Sequence, residues 1–399
     1  MKVKVWSQKR LLGRSQRGVS LIELMVSIGL GLAIIVSVAA VYVAAKQTHR
    51  YQETSGRLQE DAGFALDLIA KDLRVAGFGG CLGVSSVTAG TPAVTTYYPS
   101  SGLSPANPDG VIGPNPLATL EPTNAGVTVQ PMMPGSIVRG FDSLPSALYA
   151  SSGTVTVSSS SGSLFFYSGG THAVAVSAPM AASSAPVAID DDPYKWRNET
   201  HASGVFDFVV SSCSASSLFK GKVGSAGPPY QISHDAALDN VADAFADGSI
   251  YSTDAMVFPL EWQLYFVATR SGAATPSLYG ISYNGNQRSL AQELVPNVES
   301  MRLNYGENTS TAPDGVSPSL VTDVWRTAAA DVTDWSRVTA VRIGLMMVSN
   351  EDNANPEVAL VVPKLLGQTY TLPTGASSMR VRKAFSTTVV LRNQVASRE

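Results

Sequence analysis

The stretch RGVSLIELMV, from Arg17 to Val26, joins a basic leader to a long apolar segment that carries a single carboxylate, Glu23. The segment from Val19 to Ala45 contains 27 residues and no other charge. As a helix it would extend about 40 Å, which is enough to cross a bilayer core. Because a carboxylate in lipid is unfavourable unless it is paired, the stretch predicts a membrane helix with a specific ionic contact near its start.

Gly18 marks the boundary between the polar and apolar segments, and it suggests what that ionic partner is. A cut between Gly18 and Val19 would create an α-amine one helical turn away from Glu23. The amine could belong to the same chain or to a neighbour in an assembly, and an unpaired Glu23 would then be destabilising. We therefore interpret Glu23 as a residue that sets the register between subunits. An uncleaved single-span anchor is the simpler alternative.

The distribution of charged residues indicates the orientation of the chain in the membrane and which ligands it disfavours. Of the 28 basic residues, six lie in the first eighteen positions, where there is no acidic residue. By the positive-inside rule, this leader stays in the cytoplasm and the chain after Lys46 crosses the membrane. Without the leader, 22 basic and 31 acidic residues remain, a balance of −9. This acidic balance disfavours sequence-independent binding of nucleic acid, and we expect none.

Beyond the membrane segment the helix is predicted to continue as an amphipathic half with one apolar stripe. Apolar residues recur there at spacings of three and four, at Leu58, Ala62, Ala65, Leu66, Ile69, Leu73 and Ala76. Gly77 is the expected C-cap. The predicted organisation is therefore a leader 1–18, a transmembrane half 19–45, an amphipathic half 46–77, a Ser/Gly/Pro-rich region 78–200 and a β-rich region 201–399.

The head that follows is predicted to be mainly antiparallel sheet, which makes the fold α+β. Short alternating runs occur at Thr154–Val157, Leu164–Tyr167 and Ala173–Val176. Longer strand-like runs follow, among them MVFPLEWQLYFVAT, VTAVRIGLMMVS, EVALVV and FSTTVVLRN. The run SLAQELVPNV is the one place in this half where a helical turn is predicted.

The residues that open the chain resemble a known signal. The run RGVSLIELMVSIGLGLAI is similar to the class III leader of type IV pilins and pseudopilins. Within that resemblance, four further segments are similar to the minor pilin family PilW: DLRVAGFGGC at 72–81, ELVPNVESMRLNYG at 293–306, DWSRVTAVRIGLMMVS at 334–349 and FSTTVVLRN at 385–393. The resemblance implies a pilin-like fold, in which a long N-terminal helix packs on a large antiparallel head.

The same resemblance implies a maturation pathway and a set of partners. Prepilin peptidase would cleave between Gly18 and Val19 and the new Val19 amine would be methylated, with Glu23 as the assembly residue. The implied function is a non-enzymatic minor pilin that helps to prime type IV pilus assembly and sits at the tip. It would reside in the bacterial inner membrane, with its head in the periplasm, and then in the pilus. Implied partners are other minor pilins, the major pilin, the inner-membrane assembly platform and a tip adhesin.

Two alternatives to this reading stay open at the level of sequence. A minor pseudopilin of type II secretion would share the leader and the helix. A membrane-tethered surface hydrolase or lectin would carry its activity in the head, but it leaves Gly18 and Glu23 unexplained.

The two cysteines, Cys81 and Cys213, both lie on the exported side. In an oxidising compartment a disulfide is the default expectation for such a pair. It would close a loop of roughly 130 residues, worth about 5 kcal/mol in the chain-entropy model. Two buried free thiols are the alternative.

No catalytic, cofactor or metal constellation is predicted from the remaining polar residues. The four histidines, His49, His172, His201 and His234, show no ligand spacing. The acidic loops AIDDDPYKW, with Asp190 to Asp192, and SNEDNANPE, with Glu351 to Glu357, could offer oxygens to Ca²⁺. Neither follows the EF-hand pattern, and we expect solvated turns.

Overall fold

The computed structural model describes residues 18–80, 94–96, 137–145, 148–149, 154–196, 205–213, 215–224, 227–238, 245, 250–285, 289–309, 322–352 and 362–393. The chain divides into two compact units, Met1–Glu53 and Thr54–Glu399. The described part of the first unit is helical from Leu21 onward. The second unit contains the rest of that helix and all of the strands.

Helix α1 (Leu21–Arg74) contributes its C-terminal part to the core of the second unit. The predicted stripe is confirmed, because Leu58, Ala62, Ala65, Ile69, Leu73 and Ala76 are each at most 2% exposed. Leu66 packs against the same core while remaining partly exposed. Alanine at several of these positions lets the helix backbone come close to the sheet residues that cover it.

Gly77 ends the helix as predicted, and two separate constraints require glycine there. Its φ of +74° lies in the left-handed region that side chains disfavour. A Cβ atom built on it would also lie 2.6 Å from Cγ2 of Ile137. The Gly77 amide donates to the carbonyl of Tyr167 at 2.7 Å, so the helix end is joined directly to the sheet.

The described strands are numbered in chain order. They are β1 (Val94–Thr96), β2 (Val138–Phe141), β3 (Val155–Val157), β4 (Ser163–Gly169), β5 (Val174–Ala178), β6 (Val187–Ile189), β7 (Val205–Ser211), β8 (Ser216–Val223), β9 (Tyr230–Ser233), β10 (Met256–Arg270), β11 (Ser277–Asn284), β12 (Gln292–Pro296), β13 (Val298–Glu307), β14 (Val324–Arg326), β15 (Val338–Asp352) and β16 (Arg380–Val390). Short 3-10 turns occupy Ala236–Leu238, Ala329–Asp331 and Trp335–Arg337.

These strands form two sheets. The larger has 12 strands and is organised by β10, which pairs antiparallel with β3, β4, β5, β7 and β11 along its length. The smaller has four strands in the order β14-β13-β15-β16, all antiparallel. The α+β class is therefore confirmed: one long N-terminal apolar helix and large, mainly antiparallel sheets.

The described residues of the head form two large hydrophobic cores and a small third cluster of Met346, Leu365 and Tyr370. The main core joins the helix stripe to β4, β10, β11, β13, β15 and β16, and it contains Trp262, which is 2% exposed as its predicted core role requires. A second, aromatic core under β5 to β9 includes Trp196, Phe208, Phe219 and Phe245. The helix belongs to the first core only.

One secondary-structure prediction was wrong. The run SLAQELVPNV contains strand β12, Gln292–Pro296, and no described helical turn. Leu, Ala, Gln and Glu favour helix locally, but pairing with β11, in which Glu293 lies opposite Tyr279, overrides that preference. The run EVALVV lies outside the described residues except for Val362.

We predict that Gly77→Ala lowers the stability of the head, because it introduces backbone strain and a clash with Ile137. The expected loss is about 1–3 kcal/mol. Gly63→Ala is the matched control, since its Cβ would meet nothing within 4 Å and it lies in regular helix. It should stabilise by up to about 1 kcal/mol. Thermal unfolding of the detergent-solubilised full chain, followed by near-ultraviolet circular dichroism, measures both, and equal melting temperatures would contradict the Gly77 argument.

Candidate functional site

The first candidate site lies where the helix begins. Gly18, Val19 and Ser20 precede the first helical residue, Leu21, and the Leu24 amide donates to the Ser20 carbonyl at 3.0 Å. Glu23 therefore lies in the first helical turn. Residues 1–17 of the leader lie outside the described residues. The Gly18–Val19 bond thus lies just before the helix, among exposed residues.

The electrostatics of this turn favour an acidic residue at position 23. The first amide groups of a helix have no partners within the helix and carry partial positive charge. A free amine at Val19 would add a full positive charge at the same end. Glu23, which is exposed, supplies the opposite charge within one turn. It can therefore balance its own helix or meet the amine of a neighbouring chain.

The apolar segment that follows is long enough to span a membrane. Within α1 an 18-residue window has a mean hydropathy of 2.6, and none of that window is buried. Val19, Ile22, Leu30, Ile34 and Val41 are between 62% and 71% exposed. Such exposure of large apolar side chains requires lipid or other proteins to cover them.

Two serine hydroxyls within the segment hydrogen-bond to the helix itself. Ser27 donates to the carbonyl of Glu23 at 2.7 Å, and Ser37 donates to that of Ala33 at 2.8 Å. Such hydroxyl bonds to the preceding turn remove the need for water. Glu23 is therefore the one charged group that still needs an external partner in the described segment 19–45.

A second set of contacts holds the C-terminal part of the helix in the head. Tyr265 of β10 donates to the Asp72 carboxylate at 2.5 Å, and burial together with this carboxylate raises the pKa of the Tyr265 hydroxyl well above its usual value. Asn393 donates to the Ala76 carbonyl at 2.9 Å, which satisfies one of the helix-end carbonyls. Lys383 of β16 contacts the Ser55 hydroxyl.

Strand β13 carries two buried carboxylates, and each is hydrogen-bonded to an arginine. Glu299, 3% exposed, receives two hydrogen bonds from Arg382 of β16, at 2.7 and 2.8 Å. Glu307, fully buried, accepts from Arg326 of β14 at 2.7 Å. Burial would raise the pKa of Glu307, but hydrogen bonds from Thr333, Arg326 and Asp334 hold it below its ordinary value. Both pairs join strands of the small sheet.

The sequence analysis did not identify these contacts. Glu299 and Arg382 are 83 residues apart, and Asp72 and Tyr265 are 193 residues apart. Each residue type is common on protein surfaces, so no local pattern marks them. The one available signal was a charged residue within an otherwise apolar strand, as at Glu299 in VPNVESMRL.

The acidic loops bond to their own chain, and the expectation of a solvated turn was wrong for Asp192, which is 6% exposed. The Asp192 carboxylate accepts from the Trp196 amide at 2.8 Å, and Asp191 accepts from the Asp192 amide at 2.8 Å. In the second loop, Asp352 accepts from Ser377 at 2.7 Å, while residues 353–360 lie outside the described residues. Across the described ranges no group of three or more His, Cys, Asp or Glu residues could hold a metal ion.

The histidines are separated in the structure as they are in the sequence. His172 lies 3.8 Å from Glu261, whereas His234 is buried and stacked on Phe245. His49 lies on the exposed part of α1, and His201 lies outside the described residues.

The predicted cysteine pair is only partly described. Cys81 lies outside the described residues, and no cysteine within them is a free thiol. Gly80, directly before Cys81, approaches Ser211, two residues before Cys213, because a Cβ built on Gly80 would lie 3.5 Å from the Ser211 Cβ. The backbone thus brings the neighbours of both cysteines together. The Cys81–Cys213 disulfide stays a prediction.

Comparison with protein families gives a match over the C-terminal third of the chain. Residues 264–393 match the family described as PilW, Type IV Pilus-assembly protein W. The predicted resemblance to PilW is confirmed there. The matched range holds Glu299, Glu307 and Arg382, and also Tyr265 and Asn393, which fix the helix. The PilW-like region therefore contributes part of the surface that receives the helix, together with β4, whose Tyr167 carbonyl accepts from Gly77. The match supports a component of type IV pili.

Other comparisons add little to this. One solved structure, the type IV-like pilin TTHA1219 from Thermus thermophilus, aligns with 48% of this chain and with 84% of the pilin's own length. The two sequences are 14% identical, and the TM-score is 0.19. At that score the similarity carries no argument. No curated protein matches the chain.

We predict that non-reducing peptide mapping will find Cys81 linked to Cys213. Cys81→Ser and Cys213→Ser should each destabilise the head by up to about 5 kcal/mol. The double variant should be no less stable than either single variant, because both changes remove the same bond. Ser211→Ala, which alters the same end of β7 without removing a cysteine, is the control. Two unlinked cysteine peptides, or additive losses in the double variant, would contradict the pairing.

Proposed function

We propose that this protein is a minor pilin of type IV pili, processed between Gly18 and Val19 and inserted through α1 into a pilus-priming complex. The PilW match over residues 264–393 is the observation that carries the proposal. The exposed apolar segment 19–45 with its single carboxylate, Glu23, supports the proposal, because both require partners. The proposed partners are other minor pilins, the major pilin and the inner-membrane assembly platform.

Each part of the helix has a role in this proposal. Before assembly the apolar segment lies in the inner membrane, with the head in the periplasm. Removal of the leader by prepilin peptidase and methylation of Val19 prepare the new terminus for assembly. During assembly the segment moves from lipid into contact with neighbouring helices, and Glu23 pairs with a Val19 amine so that only one register is favoured.

The size of the head supports a position at the pilus tip. The second unit contains all of the described strands and the three described hydrophobic clusters, and its sequence is rich in Ser, Gly and Pro between residues 78 and 200. A head of this size would crowd a filament shaft, whereas at the tip it faces neighbours on fewer sides. A tip adhesin is a further proposed partner. Immunogold labelling should find the protein at pilus ends, and labelling evenly along the shaft would exclude this position.

The proposed role is non-enzymatic. The protein acts by inserting α1 among neighbouring helices in a fixed register. The helix and its anchoring in the head are sufficient for this role. A type II secretion pseudopilin is the second candidate, since the same helix would serve it. Deletion of the gene distinguishes the two: loss of surface pili supports the pilin, and loss of enzyme secretion with pili intact supports the pseudopilin.

Cleavage is tested at Gly18. We predict that Gly18→Ala leaves the precursor unprocessed and reduces piliation, because the residue before the cut is altered. Mass spectrometry of the native N-terminus should show a methylated Val19 in the wild type and Met1 or its formylated form in the variant. Gly29→Ala, in the same helix and with nothing within 4 Å of its Cβ, is the control that should be processed normally. A wild-type protein that begins at Met1 would exclude the processing step.

The role of the Glu23 charge is tested by three substitutions, of which glutamine matches glutamate in shape. We predict that Glu23→Val and Glu23→Gln are both processed but lose co-purification with partner pilins, whereas Glu23→Asp retains part of it. Losing one partner of a buried pair costs about 3 kcal/mol or more, roughly a hundredfold in affinity. Glutamine keeps the size and hydrogen-bonding capacity of glutamate, so normal assembly of Glu23→Gln would show that the charge is not needed.

A further inference from the structure

The first turns of α1 beyond the apolar segment 19–45 carry basic residues and no acidic one. Lys46 is followed by His49 and Arg50, three and four residues later, so the three side chains share one face of the helix. All three are exposed. Between Glu23 and Glu53 the sequence contains no acidic residue. These three basic residues are called the basic face below.

The basic face has no partner within the described part of the chain. Across the described residues, the side chains of Lys46, His49 and Arg50 make no hydrogen bond or salt bridge. Lys46 and Arg50 lie one turn apart, and like charges at this spacing destabilise a helix. The helix dipole does not compensate, because α1 continues for about six more turns to Arg74. An anion between the two side chains would remove the repulsion.

The basic face lies on the side of the membrane where basic residues are disfavoured. In the proposed orientation the chain after Lys46 is exported, and lysine and arginine are depleted next to a membrane span on that side. Uncharged polar residues would end the apolar segment without this disadvantage. Two strong bases so soon after Ala45 therefore indicate a negatively charged partner at that depth.

The length of the apolar segment determines what surrounds the basic face. From Val19 the helix rises about 40 Å to Lys46 and about 46 Å to Arg50. A bilayer is about 40–45 Å thick when its head groups are included. When Val19 lies at one surface of the bilayer, Lys46 and Arg50 therefore lie among the lipid phosphates of the opposite surface.

An aromatic side chain on the same face favours a lipid over a protein partner. Tyr42, one turn before Lys46, is 67% exposed, and its neighbours Val41 and Val43 are exposed as well. Tyrosine is enriched at membrane interfaces because its ring is apolar and its hydroxyl is polar. Lysine and arginine one or two turns farther out can extend their charged ends into the head groups. Along this face the side chains therefore follow the order of the bilayer, from acyl chains to interface to phosphate.

We propose that the basic face binds the phosphate groups of anionic lipids in the exported leaflet of the membrane. Lys46 and Arg50 make the contact, and Tyr42 lies at the boundary between head groups and acyl chains. Each basic residue near an anionic membrane surface contributes about fivefold in affinity. Such contacts hold the end of the span at one depth and are weak enough to exchange when the helix leaves the membrane. This inference rests on the membrane span of the proposed function and does not require cleavage at Gly18.

The test uses the full-length protein in lipid nanodiscs with equal amounts of phosphatidylglycerol and phosphatidylcholine. A photo-cross-linking amino acid replaces Val43, which is 53% exposed and lies three residues before Lys46. Both lipids carry the same acyl chains, so the masses of the adducts show which head group is enriched beside the helix. Expected is an excess of phosphatidylglycerol adducts of about fivefold or more at low salt. The excess should shrink at about 1 M salt, where exposed charges are screened.

Paired substitutions then show whether the basic face causes the excess. Lys46→Gln with Arg50→Gln should bring the two adducts to equal yield, whereas Lys46→Arg with Arg50→Lys, which keeps both charges, should retain the excess. Lys71→Gln with Arg74→Gln is the matched control, because it removes the same charge from exposed positions of α1 in the second unit, and it should change nothing. An excess that persists without the charges at positions 46 and 50, or no excess in the wild type, overturns the proposal.

The same cross-linker in the native host distinguishes a lipid from a protein partner. Phospholipid adducts on the protein in the membrane fraction support the proposal. Cross-links from position 43 to another chain, without phospholipid adducts, would show that a subunit occupies the basic face and would overturn it. The sequence of the N-terminus is a separate readout: a chain that begins at Met1 excludes the proposed processing, while the nanodisc result still decides the lipid contact.

Discussion

Burial of one helix face in the head is the contact on which the rest of the described structure depends. The stripe from Leu58 to Ala76 lies inside the main core, and residues from both sheets complete that core. The stripe is narrow and rich in alanine, so the helix lies close to the strands. Its end is fixed three times, by the turn at Gly77, the Asp72–Tyr265 bond and the Asn393 amide. The position of the helix is therefore set by specific bonds as well as by apolar packing.

The same helix has two parts with opposite physical demands. In the head its apolar face is covered by its own chain, and the charged residues Arg57, Glu60, Asp67 and Lys71 face outward. In the segment 19–45 apolar side chains point outward all round, and no residue of the described chain covers them. A helix of the first kind is stable in a soluble protein, whereas one of the second kind is stable only in lipid or among other helices. The sequence changes from one kind to the other between Ala45 and Leu58.

Local pattern was sufficient to predict much of this arrangement. The stripe, the glycine C-cap, the apolar span and most long strands follow from spacing and composition, because each depends on neighbours within about ten residues. The prediction at SLAQELVPNV failed because pairing with strand β11 outweighed the local helix preference. The ionic pairs at Glu299 and Glu307 could not be predicted, because each depends on which strands become neighbours. At the start of the helix, by contrast, the special meaning of Gly18 and Glu23 is visible in the sequence, since the signal is itself local.

The distribution of charge within the PilW-like region explains how strand β16 is held in register. Burying Glu299 with Arg382 is unfavourable for each ion alone, and the pair is tolerated because both of its hydrogen bonds are well formed. The pair lies near the first residues of β16, which places the fixed charge at one end and leaves an uncharged run beyond it. The buried pair therefore fixes the register of β16 at one end, and the uncharged run from Phe385 to Val390 is held by regular pairing with β15 instead of by ion pairs.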